Sequence, residues 1–322
     1  MKRIPTLFCL LLTWLFFSCN QKKSDVPTVA FIDAFEDNTI AMAKKGFFDA
    51  MQQNGYDEKN GTLNVIYRNA QGDIPTLTQI TKYMITQQPD LIATSPTLST
   101  ITAIQNTQNI PVFMMVSSTP TLMKLNDADG KEPGNLFGTG ENIDYIDTSF
   151  GLIPRLIHPK NDHLKVGMIF NQSEPQSVEA MNGIKKIAER ENMELIALPV
   201  NTSAEVLLVT QTLLSKEIDA FFANPDNTVF ASFESIVNAC EKAQVPIMTS
   251  EAGLVARGAL AAYGADIYQW GYQTGLQAAA YLKSDKKVMP HWELVKDRKR
   301  VYNKAMAEKY HLVIPSEYKP MP

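Results

Sequence analysis

Hydroxyl, amide and carboxylate side chains gather in short loops that each follow a brief apolar run. In the first half these loops are Asp33-Ala34-Phe35-Glu36-Asp37-Asn38, Thr94-Ser95-Pro96-Thr97 and Ser117-Ser118-Thr119. The second half has Asn171-Gln172-Ser173-Glu174, Asn201-Thr202-Ser203, Asn224-Pro225-Asp226-Asn227-Thr228 and Ser250-Glu251. None contains a lysine or arginine, so a phosphorylated ligand lacks its usual partners. There is no GxxxxGK[ST] cradle, and Gly138-Thr139-Gly140 lacks the third glycine of a dinucleotide fingerprint. His158, His163, His291 and His311 show no metal-binding spacing, no GxSxG elbow exists, and no nucleophile stands beside a base. The expectation is a binder with no catalytic residue, metal or cofactor. Such loops suit a zwitterion, with hydroxyls and helix N-terminal amides for a carboxylate and side-chain carboxylates for an ammonium. Ser95 and Thr97 would serve the first, and Asp226 and Glu251 the second. Asn227 and Thr228 either join the site or cap the helix that follows.

Such loops need a scaffold, and the apolar pattern supplies one. Val29 to Asp33 reads as a buried strand and feeds a helix with Ile40, Ala43, Phe47 and Met51 on one face, closed by Gly55. Strands at Leu63 to Tyr67, Asp90 to Ala93 and Val112 to Val116 continue the pattern, with a helix starting from Asp73. After the turn-rich stretch 127–134 the rhythm restarts. Strands are predicted at 166–170, 195–200, 220–223 and 246–249, with helices carrying Val178/Met181/Ile184, Val206/Val209/Leu213 and Phe230/Phe233/Val237/Cys240. A further strand is read at 258–262, a helix at 268–282 and a last strand at 291–295. This alternation predicts two doubly wound parallel-sheet α/β lobes, whose ligands bind beyond the carboxyl ends of the strands. Phe35 and Tyr145 are candidates for the apolar wall of a site or for the core.

The chain has 322 residues, enough for about two domains. Its 30 basic and 34 acidic residues give a formal charge of −4, and no basic stripe precedes Lys296 to Arg300, so nucleic acid is not an expected partner. Met1-Lys2-Arg3 followed by the apolar run Ile4 to Ser18 has the form of an export signal, too short to span a membrane. Leu15-Phe16-Phe17-Ser18-Cys19 resembles a bacterial lipobox, which implies cleavage before Cys19, acylation of that residue and a tether over 19–26. The remaining thiol, Cys240, is expected in the core, and no disulfide framework is possible.

Several pieces, in this order, carry a wider likeness: Asn69-Ala70-Gln71-Gly72-Asp73, Asn171-x-x-Glu174-x-x-Ser177 and Pro225-Asp226-Asn227-Thr228. Ser250-Glu251, Arg257-Gly258-Ala259-Leu260-Ala261 and Gly271-x-Gln273-Thr274-Gly275 follow. From about Val29 to Leu282 the chain resembles the ABC transporter substrate-binding protein family of tryptophan and aromatic amino-acid receptors. The resemblance implies the type I periplasmic binding protein fold, two lobes joined by crossover strands. Lobe 1 is expected at 27–140 plus 256–284 and lobe 2 at 141–255 plus 285–322. It implies capture of a small solute, an apolar or aromatic amino acid, by a monomeric extracytoplasmic lipoprotein that serves a permease and an ATPase. The alternative is a sensing ectodomain that signals to a membrane partner without transport. The resemblance implies pocket positions for Ser95, Asn171, Asp226, Ser250 and Glu251, and with the loop reading above the candidate ligand-binding residues are Phe35, Ser95, Thr97, Ser118, Asn171, Asp226, Asn227, Ser250 and Glu251. The chain departs from the family's His-Pro pair after the first strand, where it has Ala34 to Asn38, and from its Asp-Pro after the fourth, where it has Thr119-Pro120.

Overall fold

The computed structural model describes residues 26–142 and 144–321, so the export signal, Cys19 and nearly all of the tether lie outside the described residues. The chain begins β1 (Thr28–Asp33), α1 (Asn38–Gln53), β2 (Asn64–Asn69), α2 (Ile74–Thr86), β3 (Leu91–Ser95), α3 (Thr97–Asn106), β4 (Val112–Ser118) and β5 (Leu136–Glu141). It continues with α4 (Asp144–Phe150), α5 (Ile153–Leu156), β6 (Lys165–Asn171), α6 (Pro175–Arg190), β7 (Glu194–Val200), α7 (Val206–Leu214), β8 (Ala220–Ala223), α8 (Asn227–Ala231), α9 (Phe233–Lys242) and β9 (Ile247–Thr249). The last elements are α10 (Ala252–Val255), β10 (Ala261–Ala265), α11 (Ile267–Lys283), β11 (Glu293–Leu294), β12 (Arg298–Asn303), α12 (Lys304–Lys309) and β13 (Lys319–Met321).

These elements build two sheets, one per lobe. The first has the order β11-β5-β4-β3-β1-β2, and the second β13-β12-β10-β9-β8-β6-β7. Pairing is parallel throughout except between β10 and β12. Both sheets are covered by helices on both faces, which is why central strands such as Val29–Ile32 and Ala220–Ala223 are apolar without alternation. In the first lobe one side is filled by Phe31, Phe47, Phe113 and Trp270, the other by Ile32, Leu77, Met84 and Met114. The second lobe likewise has Phe221 and Phe233 on one side and Phe150, Met168 and Phe222 on the other.

The predicted inner face of α1 is buried as read, and Asp37 caps the helix by accepting from Thr39 N and Ile40 N. It packs on α11 at glycines: a Cβ at Gly271 would collide with the Ala43 carbonyl. The lobe boundaries differ from expectation. Ala261–Ala265 pairs with β9 and β12 and so belongs to the second sheet, although the stretch 256–284 was expected in the first lobe. Only α11 returns to the first lobe. β11 then pairs with β5 of the first sheet, inside a tail expected in the second lobe. A short run of small buried residues signals a strand covered on both faces, but carries no information on which sheet it joins. The chain therefore passes between lobes three times, after β5, after β10 and after β11. Asp266 N donates to Asp297 O at 2.9 Å, tying the second and third passages together.

Candidate functional site

Beside these passages lies a narrow cleft cavity, lined from both lobes. The first lobe lines it with Thr97, Ser117, Ser118, Glu141 and Trp270, and the second with Tyr145, Gln176, Asp226, Asn227, Phe230 and Glu251.

On the first-lobe side the hydroxyls are placed by an irregular strand. The β4–β5 register shifts between Met114 and Ser117, and Val116 takes φ +50°, a left-handed conformation that is costly for a β-branched residue. Gly138 makes the distortion possible: at φ +97° it faces Met114, whose carbonyl oxygen a Cβ would strike. The bulge brings Ser117 and Ser118 to the wall. Ser118 N donates to Thr97 Oγ1 at 3.3 Å, which leaves the Thr97 hydroxyl proton for another acceptor.

The second-lobe side is an acceptor wall. Asp226 caps α8 by accepting from Val229 N at 2.9 Å, and its other oxygen accepts from Asn171 N at 2.6 Å and Ser177 Oγ at 2.5 Å. Beside it Glu174 receives Asn227 N at 3.0 Å, Asn227 Nδ2 at 2.7 Å, Thr228 Oγ1 at 3.2 Å and Gln176 Nε2 at 2.5 Å. Glu251 accepts from the Tyr145 hydroxyl at 2.7 Å. Burial pushes Glu251 up to about 8, and burial together with the nearby Asp226 charge pushes Glu174 up to about 8. Asp226 is also raised by burial. All three carboxyls would be easier to ionise beside a cation.

Glu141 closes the cavity near the first passage. Arg298, from β12 of the other lobe, places Nη2 2.7 Å from both of its oxygens, yet burial still raises Glu141 to about 7. Arg298 is absent from the wall itself, so among the described residues no basic side chain lines the cavity.

Of the nine residues singled out from sequence, Thr97, Ser118, Asp226, Asn227 and Glu251 meet on this wall. Asn171 stands behind it, holding Asp226 and donating from Nδ2 to Thr228 Oγ1 at 2.8 Å. Ser95 and Ser250 are buried outside the wall. Phe35 packs in the first-lobe core with Ile32, Ala70 and Leu77, a correction to its expected place in the site, while Tyr145 does face the cavity. Glu141, Gln176, Phe230 and Trp270 were not singled out. Glu141 ends strand β5, one position beyond the Gly138-Thr139-Gly140 run within it.

The lobes also meet away from the cavity. Arg257 Nη1 lies 2.6 Å from Asp37 Oδ2 and 3.1 Å from Thr39 Oγ1 of the first lobe, and its remaining nitrogens bind Glu234 and the Phe230 carbonyl of the second. Ile40 of α1 packs into the second-lobe core.

A sequence model of the ABC transporter substrate binding protein family matches residues 28–319. The chain belongs to that family. A curated relative, the Tyrosine-binding protein of Clostridioides difficile strain R20291, is 31% identical over 269 residues, covering 83% of this chain and 76% of the relative. Among solved structures, a conserved domain protein of Vibrio cholerae O1 biovar El Tor is 25% identical with a TM-score of 0.81, covering 92% of this chain and 100% of that one. A domain from Streptococcus pneumoniae, solved in complex with L-Trp, shares the fold at 22% identity and a TM-score of 0.81, covering 92% of this chain and 99% of that one. The two-lobed fold is the type I periplasmic binding protein fold of this substrate-binding family. Among the described residues no helix is long and apolar enough to cross a membrane, and no group of His, Cys, Asp and Glu is placed to hold a metal ion.

Proposed function

We propose that this substrate-binding protein captures an aromatic amino acid, L-tyrosine being the first candidate, and presents it to the permease and ATPase of an importer. The observation that carries the reading is the set of hydroxyls and carboxylates brought together from the two lobes: Thr97 and Ser118 of the first lobe line the cavity with Asp226 and Glu251 of the second, while Glu141 of the first lobe is already engaged by Arg298. A zwitterion laid across the cavity gives its carboxylate to Thr97 and Ser118 and its ammonium to Asp226 and Glu251. Each end holds one lobe, so binding and closure become one event. Tyr145, Phe230 and Trp270 line the same cavity and supply aromatic surface for an aryl side chain. The name of the Clostridioides difficile relative supports the aromatic assignment. The cavity offers no nucleophile with an adjacent base, and we assign it no catalysis.

Calorimetry with the twenty amino acids tests this directly. Tyrosine, tryptophan or phenylalanine should bind most tightly, and silence across the panel removes the amino-acid assignment. We infer from the export-signal and lipobox pattern that the protein works outside the cytoplasm, held by lipid on Cys19, and we propose that it does so as a monomer. Labelling of cells with a fatty-acid probe should mark the wild-type chain and not Cys19→Ala; an equal signal from both would remove the anchor.

A further inference from the structure

One buried polar atom on the cavity wall has no partner. Gln176, the second residue of α6, is 6% exposed, and its Oε1 receives no hydrogen bond. Its amide is not free to turn. Nε2 sits 2.5 Å from Glu174 Oε2, the oxygen that also receives Asn227 N and Asn227 Nδ2, while the other Glu174 oxygen takes Thr228 Oγ1 and Asn171 Nδ2. Glu174 Oε2 already accepts from Asn227 N and Asn227 Nδ2, so it meets Gln176 as an acceptor too, which turns the amide's NH₂ group toward Glu174. Oε1 is thereby aimed away from Glu174. Gln176 lines the same cavity as Asp226 and Asn227, and its neighbours are tied to them: the Ser177 hydroxyl donates to Asp226, and Asn227 shares a Glu174 oxygen with Gln176.

Buried acceptors in native proteins are nearly always paired, and an unpaired one on a cavity wall marks where a ligand donor belongs. We propose that Gln176 is a specificity-determining residue, its Oε1 accepting a hydrogen bond from the primary ammonium of the ligand, with Glu174 as the positioning residue. This rests on the amino-acid reading above. An ammonium has three N–H donors, and Asp226, Glu251 and Gln176 rise from the ends of three neighbouring strands, β8, β9 and β6, one acceptor for each.

The test is calorimetry of wild-type and Gln176→Met with L-tyrosine, L-phenylalanine and 3-(4-hydroxyphenyl)propanoic acid, which lacks the ammonium and is measured by displacement of L-tyrosine. Both amino acids should weaken roughly 10- to 100-fold, and the deaminated acid by no more than about 2-fold. Gln176→Asn, which keeps an amide on a shorter arm, should show the same ranking with a smaller loss and covers the case in which Gln176→Met does not fold. Equal loss for all three ligands, or no loss, overturns the assignment. Loss confined to L-tyrosine also overturns it, because Oε1 would then read the phenol. Failure of both amino acids to bind the wild-type chain instead sinks the amino-acid reading.

Discussion

Arg298 holds Glu141 through a single guanidinium nitrogen, 2.7 Å from each carboxylate oxygen, and the two residues belong to strands of different sheets. The pair is one of the polar ties across the passages, and its acid is almost fully buried. Arg298→Met should destabilise the protein by about 2–4 kcal/mol by stranding that carboxyl. Pairing it with Glu141→Gln should recover most of the loss. Denaturant melts of the three variants check this, and additive losses would contradict it.

Affinity for L-tyrosine should rise as pH is raised from about 6 to about 8. Glu251 and Glu174 are pushed up to about 8 in the unliganded protein, so part of the population carries protons there at neutral pH. A bound ammonium favours the ionised forms and lowers those values, so binding releases protons, and the complex gains as pH climbs through the window between the bound and free values. Calorimetry at one pH in buffers of different ionisation enthalpy measures the release; net proton uptake would refute the argument.

Gly253 touches the first lobe without belonging to either core. A Cβ there would collide with Thr39 Cγ2 of α1. Gly253→Ala should act as a wedge, weakening ligand affinity about 10-fold or more while leaving the unliganded melting temperature almost unchanged. Small-angle scattering should show that saturating ligand no longer compacts the variant to the wild-type radius.

Arg257 joins Asp37 of the first lobe to Glu234 of the second. Asp37 is the buried partner, so Arg257→Met should favour the open arrangement, in which that acid regains water. The expected readout is a larger radius of gyration without ligand and faster ligand release in stopped-flow; an unchanged off-rate would remove Arg257 from closure.

Much of this arrangement was legible from residue order. The strands and their trailing polar loops could be read because buried parallel strands are continuous apolar runs, and such sheets bind ligands at one edge. That placed Thr97, Ser118, Asp226, Asn227 and Glu251. Phe35 went astray because an aromatic residue in a loop suits a core and a cavity wall equally. Arg298 drew notice only as part of a basic stretch, since nothing local ties it to Glu141, 157 residues earlier. The sheet joined by Ala261–Ala265 was hidden for a related reason: small residues announce close packing, and the partner is chosen by contacts distant in sequence.

Because the chain passes between lobes three times, neither lobe is a continuous stretch of sequence. A single recombination event cannot replace one lobe and leave the other whole; a clean exchange needs three joints, each in a passage beside the cavity. The two walls of this site are therefore bound to be inherited together, and new ligand preferences must arise by substitutions along the wall, not by trading halves between relatives.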